Sequence, residues 1–300
     1  MRSSIFILLV LIMFSNCSQK SENHQSIDWQ GHRGARGNFP ENTWRAFQYA
    51  IDQNMNTMEM DVVITKDRRV VLSHEPFLNH QICKDTTGNP ITEEQEQSYN
   101  IYEMNYDELQ KFDCGSIQNP NFPQQKPVAN SPKPLLTDII QNIKSYTKSN
   151  DKELPYLNVE IKYEEGMKNI FHPEINEFSD LLYKVLSENY PAELWNIQSF
   201  DFNVLKYFHQ TYPKVKLAAL VYESGDYKEQ FNELDFTPEI YSPYHELVEQ
   251  EMVNDLHKQS VKIIPWTVND EKQAERLIRI GVDGIITDYP ELAHKFRKNP

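Results

Sequence analysis

The chain contains 300 residues, 39% hydrophobic and 25% charged, which is ordinary for a globular protein with one large domain or two modest ones. Its formal net charge of −14 argues against nucleic acid as a partner, because no basic stripe could neutralise a phosphate backbone. An anionic ligand would therefore have to be held by local cations or by a bound metal.

The N-terminus carries the features of an export signal. Arg2 is followed by ten uninterrupted apolar residues at 5–14 and then by Cys17. The apolar run is too short for a membrane-spanning helix and suits a secretory signal. We predict a lipoprotein-type signal peptide over 1–16 with lipidation of Cys17, and a polar tether over 17–27; a plain secretory signal is the alternative. The prediction places the protein in the periplasm or cell envelope, attached to the membrane through Cys17.

From residue 28 onwards, β-like runs alternate with amphipathic helical stretches. This alternation predicts an α/β fold built on a parallel sheet. A TIM-type (β/α)8 barrel over 28–296 suits it better than a nucleotide-binding open sheet, since no P-loop or G-x-G-x-x-G turn is present. Helices are expected after a cap at Asn42 and over about 270–280, where Gly281 ends the helix. The strand-like runs are 28–33, 57–65, 69–73, 155–162, 195–200, 216–222, 239–242, 261–268 and 284–288.

One segment, about 76–134, breaks the alternation. It contains an acidic patch, a short helical stretch near 105–112 and five prolines between Pro120 and Pro134. We interpret it as a subdomain inserted after an early strand, in a connection that covers the C-terminal mouth of the barrel. The segment also contains Cys83 and Cys114, and the sequence leaves open whether they form a disulfide or remain reduced.

The first chemically informative stretch is residues 31–43. His32 can move a proton, and the adjacent Arg33 can hold a phosphate. Glycines at 31, 34 and 37 let the backbone approach a ligand closely. Alone, the stretch is only a moderate indication of a phosphate-handling site.

Two later strands carry polar residues on one face. Glu59 and Asp61 are two residues apart, so both carboxylates point the same way, and a divalent cation between them would offset the cost of burying them. Glu160 and Lys162 repeat this spacing. Glu160 could be a third metal ligand, and Lys162 could bind a phosphate. The alternatives are a solvent-facing edge strand for the first pair and an internal Glu–Lys ion pair for the second.

Three further residues lie where strands give way to loops. His74 could share acid–base work with His32, because barrel enzymes place catalytic groups at strand ends. Trp266 could face the glycerol or choline part of a ligand, or lie in the core. For Asp288 we favour a structural cap or a hydrogen-bonding role.

Taken together, these motifs closely resemble the glycerophosphodiester phosphodiesterase family, over about 28–296. The resemblance implies one divalent cation, Ca²⁺ or Mg²⁺, bound by Glu59, Asp61 and Glu160. It further implies that His32 and His74 form the acid–base pair, while Arg33 and Lys162 contact phosphate oxygens. The motifs that carry the resemblance are His32-Arg-Gly, Pro40-Glu-Asn-Thr43, Glu59-x-Asp61, His74, Glu160-x-Lys162, Trp266-Thr-Val-Asn269 and Gly284-Ile-Ile-Thr-Asp288.

The activity implied is hydrolysis of small-molecule glycerophosphodiesters to glycerol 3-phosphate and an alcohol, with no obligate protein partner. Two alternatives stay open: a phospholipase-type enzyme acting on intact lipid or inositol head groups, and a lipoprotein that binds phosphorylated metabolites without turnover. The chain departs from the family at Glu75, where many members have Asp, so Glu75 is left out of the predicted ligand set.

Overall fold

A computed structural model of the protein describes residues 27–223 and 225–297. The predicted signal peptide, Cys17 and all of the tether except Ile27 lie outside these ranges. Among the helices within them, none combines the length and the hydropathy of a membrane-spanning segment.

Eight parallel strands follow one another around a barrel, in the order β8-β7-β6-β5-β4-β2-β1-β9. A ninth strand, β3, pairs antiparallel with β2 outside this order, so the strand-like run at 69–73 is not one of the eight strands that form the barrel. The strands are β1 (Asp28–Gly31), β2 (Thr57–Ile64), β3 (Val70–Leu72), β4 (Tyr156–Ile161), β5 (Trp195–Ser199), β6 (Lys216–Val221), β7 (Ile240–Pro243), β8 (Lys262–Ile263) and β9 (Gly284–Thr287).

Hydrogen bonds between β9 and the chain at β8 nearly close the barrel. The Asp283 N–H donates to the Ile263 carbonyl at 2.9 Å, and the Ile286 N–H donates to the Pro265 carbonyl at 3.0 Å. The predicted TIM-type (β/α)8 barrel is therefore confirmed. Its helices are α1 (Trp44–Asp52), α2 (Tyr106–Leu109), α3 (Leu136–Ser149), α4 (Ile175–Asn189), α5 (Phe202–Thr211), α6 (Tyr227–Leu234), α7 (Gln250–Lys258) and α8 (Glu271–Ile280).

Side chains alternate between the two faces of each strand, and those that point into the barrel are polar on some strands and apolar on others. On β2, Met58, Met60 and Val62 pack in the main core, while Glu59 and Asp61 take the other face and are also buried. β6 to β9 instead contribute an inner cluster of four aliphatic side chains, Ala218, Ile240, Ile264 and Ile286. Polar side chains therefore concentrate on the β1, β2, β4 and β5 side.

The start of α1 corrects one expectation. Thr43, and not Asn42, is the N-cap, and its side chain accepts from the Ala46 N–H. Asn42 has a left-handed backbone (φ 55°), a conformation that Asn tolerates better than most residues, and its side chain turns towards β2. Asn42 was predicted to cap a helix and instead donates a hydrogen bond to Asp61 in the polar interior of the barrel.

The connection between β3 and α3 holds the predicted insertion of about 76–134. It contains α2 and two short 3₁₀ turns, and it encloses its own small core around Leu78, Ile101 and Leu109. The disulfide that the sequence left open is formed between Cys83 and Cys114, within this core. The segment is thus a compact unit placed next to the end of β3.

Candidate active site

The candidate site is a cavity of about 120 Å³ at the C-terminal ends of the strands. Its lining includes His32, Glu59, His74, Glu160 and Trp266. A larger cavity of about 470 Å³ opens at the opposite end, beside Asp28 and Lys216. We assign the site to the smaller cavity, because the histidines and clustered carboxylates lie there and barrel enzymes work at this end.

Glu59, Asp61 and Glu160 form a buried carboxylate cluster. One oxygen from each lies within 4.8 Å of the others, and their side chains belong to neighbouring strands, with Asp61 opposite Glu160 in the β2–β4 register. Glu59 is 1%, Asp61 0% and Glu160 6% exposed, so the solvent-facing alternative for β2 is wrong. The structure thus brings together the three carboxylates that the resemblance assigned to a metal.

The electrostatics of the cluster favour a cation. Burial, together with the charges of Asp61 and Glu160, raises the pKa of Glu59 well above its ordinary value. Asp61 Oδ1 is buried and has no hydrogen-bond partner within the described residues. A buried acceptor without a donor is costly, and three mutually repelling carboxylates are more so, whereas a hard divalent cation would satisfy both. The residues present therefore fit a divalent metal.

Amide side chains inside the barrel orient the cluster from below. Gln198 Nε2 donates to Glu59 Oε1 at 2.9 Å, while Asn158 Nδ2 donates to Gln198 Oε1 and to Gln30 Oε1, each at 2.9 Å. Asn42 secures Asp61 from the side, with its Nδ2 donating to Asp61 Oδ2 at 2.9 Å. Such outer hydrogen bonds fix the orientation of ligand carboxylates.

His32 follows β1 and is held by Asp288 at the end of β9. Its Nδ1 lies 2.7 Å from Asp288 Oδ1, and Arg36 also binds that carboxylate, through Nε at 2.8 Å and Nη2 at 3.2 Å. The pair fixes the tautomer, with the proton on Nδ1 and Nε2 unprotonated, 3.9 Å from Glu59 Oε2. Burial chiefly, and then the charge of Arg36, lower the pKa of His32 to about 4. His32 is thus neutral near pH 7, as a general base requires.

His74 is held by different partners. Its Nδ1 lies 2.8 Å from Glu75 Oε1, and its Nε2 lies 3.1 Å from Lys162 Nζ. Because Lys162 can only donate, His74 Nε2 is the accepting nitrogen and Nδ1 carries the proton. Lys162 also donates to Glu160 Oε1 at 2.7 Å, so the Glu–Lys ion pair considered as an alternative is present within the site. Glu75 therefore fixes the orientation of the His74 ring through Nδ1, and Nε2 is the nitrogen that faces Lys162.

Arg33 is buried among carboxylates beneath the cavity. Its Nη1 donates to both oxygens of Glu41 at 3.0 Å, its backbone N–H donates to Glu59 Oε2 at 2.7 Å, and its Nε lies 3.3 Å from Asp61 Oδ2. Arg33 also lines the cavity. The guanidinium therefore borders the cavity and offsets the charge of the carboxylate cluster.

Trp266 is half-buried at the rim of the cavity. Its Nε1 donates to the Ser242 carbonyl at 2.8 Å, which anchors the ring. Phe200 packs edge-on against it at 5.3 Å and Tyr222 stacks on it at 5.9 Å. The ring is therefore packed on its neighbours and also lines the cavity.

The sequence profile of the glycerophosphoryl diester phosphodiesterase family matches residues 32–292, nearly all of the described chain. The chain belongs to this family. It is 30% identical to a glycerophosphodiester phosphodiesterase of Caldanaerobacter subterraneus over 87% of this chain and 93% of that protein. It is 28% identical to a glycerophosphodiester phosphodiesterase of Bacillus altitudinis over 89% of this chain and 96% of that one.

Solved structures of this family share the fold. An Oleispira antarctica phosphodiesterase, solved in complex with the product sn-glycerol-3-phosphate, superimposes with a TM-score of 0.70 at 24% identity, over 89% of this chain and 95% of that one. A glycerophosphodiester phosphodiesterase from Thermotoga maritima gives 0.64 at 23% identity, over 91% and 99%. The predicted family, and with it the predicted class of enzyme, are confirmed.

Four residues of this phosphodiesterase barrel hold the site through contacts that the sequence did not predict. Arg36 and Asn269 both bind Asp288 and so act on His32, while Gln198 and Asn42 orient the carboxylate cluster. Strand parity offered a signal for Gln198, which lies two residues after Asn196 on a strand next to β4. Nothing local marks Arg36, because its partner is 252 residues away.

Proposed function

We propose that the protein hydrolyses glycerophosphodiesters to glycerol 3-phosphate and an alcohol, with Ca²⁺ or Mg²⁺ bound by Glu59, Asp61 and Glu160. The observation that carries the proposal is a buried carboxylate cluster flanked by two histidines that are held in different ways. His32 and His74 are tethered through Nδ1 to separate carboxylates. A binding protein would need the cations of this cavity but not two proton carriers, so the geometry favours turnover.

When bound at the cluster, the cation would offset the negative charge that grows on the phosphoryl oxygens. Arg33 and Lys162 would contribute to the same task from the protein, because both are cationic and reach the cavity region. Lys162 now binds Glu160 and His74, and both contacts leave an ammonium hydrogen for a phosphate oxygen.

The two histidines divide the proton transfers. The unprotonated Nε2 of His32 accepts the proton of the attacking hydroxyl, since Asp288 holds the other ring proton on Nδ1. His74 is the proton donor to the departing alkoxide: Glu75 holds one proton on Nδ1, and a second proton on Nε2 goes to the alkoxide once the Lys162 ammonium has turned from Nε2 to a phosphate oxygen. The attacking hydroxyl belongs either to water or to the glycerol of the substrate, and both fit this assignment.

The proposal is tested with purified protein and a panel of glycerophosphocholine, glycerophosphoethanolamine and glycerophosphoinositol. We expect enzymatically detectable glycerol 3-phosphate from at least one of them in the presence of Ca²⁺ or Mg²⁺. His32→Ala should abolish the release, while His209→Ala, a histidine on α5 outside the cavity, should not change it. Release of phosphocholine in place of glycerol 3-phosphate would contradict the assigned bond cleavage.

A second substrate class, lysophospholipids, is favoured by the apolar rim. Met167, Phe200 and Tyr222 are three of the four large hydrophobic side chains exposed by the described residues. Phe200 lines the active-site cavity, Met167 and Phe200 line the adjoining one, and Tyr222 stacks on Trp266. A human relative that is 23% identical over 89% of this chain and 85% of that one is a lysophospholipase D. If an acyl chain lies on this rim, Met167→Ser should raise KM for lysophosphatidylcholine and leave that for glycerophosphocholine unchanged, because Met167 lines only the adjoining cavity.

We further propose export and membrane attachment through a lipidated Cys17. Support comes from the sequence of the first 17 residues and from the Cys83–Cys114 disulfide, a bond typical of oxidising compartments outside the cytosol. The full-length protein should partition into the detergent phase, and Cys17→Ser should move it to the aqueous phase. Detergent partitioning that survives this substitution would refute the anchor.

A further inference from the structure

Lys133, near the end of the inserted segment, is a buried cation without a hydrogen-bonding partner. Its side chain is 3% exposed, and its Nζ has no acceptor within residues 27–223 and 225–297. Burying an ammonium unpaired is expensive, so a charge or dipole must compensate it. The charge of Lys133 lowers the pKa of two buried carboxyl groups, Glu41 and Glu75.

Of these two carboxylates, Glu75 has the available acceptor. Both oxygens of Glu41 already accept from Arg33 Nη1 at 3.0 Å. Glu75 uses Oε1 for His74 Nδ1 at 2.8 Å, whereas its Oε2 is buried and has no donor within the described part of the chain. Lys133 Nζ is thus an unpaired buried donor, and Glu75 Oε2, on the residue that follows His74, is an unpaired buried acceptor within the same described ranges.

The backbone fixes Lys133 next to the histidine. Residues 134 and 135 run antiparallel to β3, with Leu72 N–H donating to the Pro134 carbonyl at 2.9 Å and Val71 bridged to Leu135. Continuing this register places Lys133 opposite Ser73, the residue before His74. Gln110 holds the Lys133 carbonyl from α2's C-cap at 2.9 Å, so the insertion's own fold sets this position.

We infer that Lys133 is a positioning residue for catalysis: its ammonium binds Glu75 Oε2 through one bridging water and so holds Glu75 Oε1 on His74 Nδ1. The inference rests on the proposed function for its kinetic consequences. It gives the insertion a task in the reaction, and it gives a role to the Glu that stands where many family members have Asp.

The consequence of losing Lys133 follows from the charges that remain. Burial raises the pKa of Glu75, but the hydrogen bond and charge of His74, and the charges of Arg33 and Lys133, outweigh it and lower that pKa. Without Lys133, less positive charge would offset the repulsion between the Glu75 and Glu41 carboxylates, and nothing would hold Glu75 Oε2 in place. His74 would then lose its fixed tautomer, while the cation-binding carboxylates and the apolar rim would stay in place.

The test compares Lys133→Met, which removes the charge and keeps most of the side chain, with Lys133→Arg and with Lys111→Met, an exposed lysine of the same segment. For Lys133→Met we expect kcat on glycerophosphocholine to fall about 10- to 100-fold, with KM within about threefold. Lys133→Arg should recover most of the loss, Lys111→Met should match wild type, and Glu75→Gln combined with Lys133→Met should be no worse than Glu75→Gln alone.

A second readout does not depend on turnover. ¹⁵N NMR of ring-labelled protein, at a pH where His74 is neutral, should show the Nδ1–H tautomer in wild type and a mixture in Lys133→Met. An unchanged tautomer in Lys133→Met, or kinetic losses that multiply in the double variant, would overturn the inference. If Lys133→Met does not fold, the same two readouts on Lys133→Arg and Lys133→Gln decide it. An inactive wild type with the expected tautomers would instead count against the proposed function alone.

Discussion

Asp288→Asn is the substitution that most sharply tests how His32 is set up. Each oxygen of Asp288 faces two donors: Oδ1 meets His32 Nδ1 and Arg36 Nε, and Oδ2 meets Arg36 Nη2 and Asn269 Nδ2. Asn269 cannot readily rotate, because its Oδ1 accepts from the Asp288 backbone N–H at 3.0 Å. An asparagine amide would therefore point its NH₂ at two donors, whichever way it turns.

At least two of the four hydrogen bonds are then lost. Bonds to a charged group contribute about 1.5–3 kcal/mol each, so the loss of two is expected to lower the free energy of unfolding by about 3–6 kcal/mol. If the NH₂ faces His32, the proton moves to Nε2 and the ring can no longer accept one. We expect kcat to fall by on the order of 10² to 10⁴, as found when orienting residues of other catalytic histidines are changed.

The assay is steady-state release of glycerol 3-phosphate, paired with chemical denaturation. Asp270→Asn is the matched control, because Asp270 caps α8 and Asn caps a helix as well as Asp does. A kcat within about threefold of wild type, together with an unchanged unfolding free energy, would refute the role of Asp288.

The stability loss should depend on pH in one direction. Burial raises the pKa of Asp288, but the charges and hydrogen bonds of His32 and Arg36 outweigh it and hold that pKa well below its ordinary value. A carboxyl whose folded pKa is lowered stabilises the protein above its unfolded pKa of about 3.9, and this contribution fades as the pH falls below it. The difference between wild type and Asp288→Asn should thus be full at pH 7 and shrink below about pH 4. A difference that grows on acidification would contradict the assignment.

Three further substitutions test separate parts of the site. Asp61→Asn should weaken Ca²⁺ or Mg²⁺ binding by at least about 100-fold in calorimetry, because it removes a ligand charge; unchanged affinity would exclude Asp61 from the metal site. Cys83→Ser should lower the unfolding free energy by about 3–4 kcal/mol, since the disulfide closes a loop with a sequence separation of 31, and an equal stability would show that the bond is absent. Trp266→Ala should raise KM for glycerophosphocholine about fivefold more than KM for glycerophosphoglycerol, whose head-group alcohol carries no cation, through loss of a cation–π contact; equal changes would place the choline elsewhere.

The sequence predicts well those features that depend on strand parity. Glu59, Asp61 and Glu160 share an inward face because side chains alternate along β2 and β4, and parallel strands in register bring them together. His32 and His74 were recognisable because they follow strands, where barrels build their sites.

The features that remained hidden depend on loops and on partners far apart in the chain. Arg36 reaches Asp288 because the turn after β1 carries Arg33 in a left-handed conformation, with φ of 49°, which no residue pattern announces. Asn42 follows the same rule, since its role comes from a backbone turn and not from the helix it precedes. In the sequence nothing distinguishes Lys133 from other polar residues of the proline-rich segment. Its position near His74 follows from the pairing of the next residues with β3.

The central claim is that the carboxylate cluster holds a cation needed to hydrolyse a glycerophosphodiester. The most direct measurement is release of glycerol 3-phosphate from glycerophosphocholine by purified protein, first as purified, then after treatment with EDTA, and again after Ca²⁺ or Mg²⁺ is restored. We predict release that EDTA abolishes and the cation restores. Full release in EDTA would contradict the metal site, and no release from any glycerophosphodiester with either cation would contradict the function.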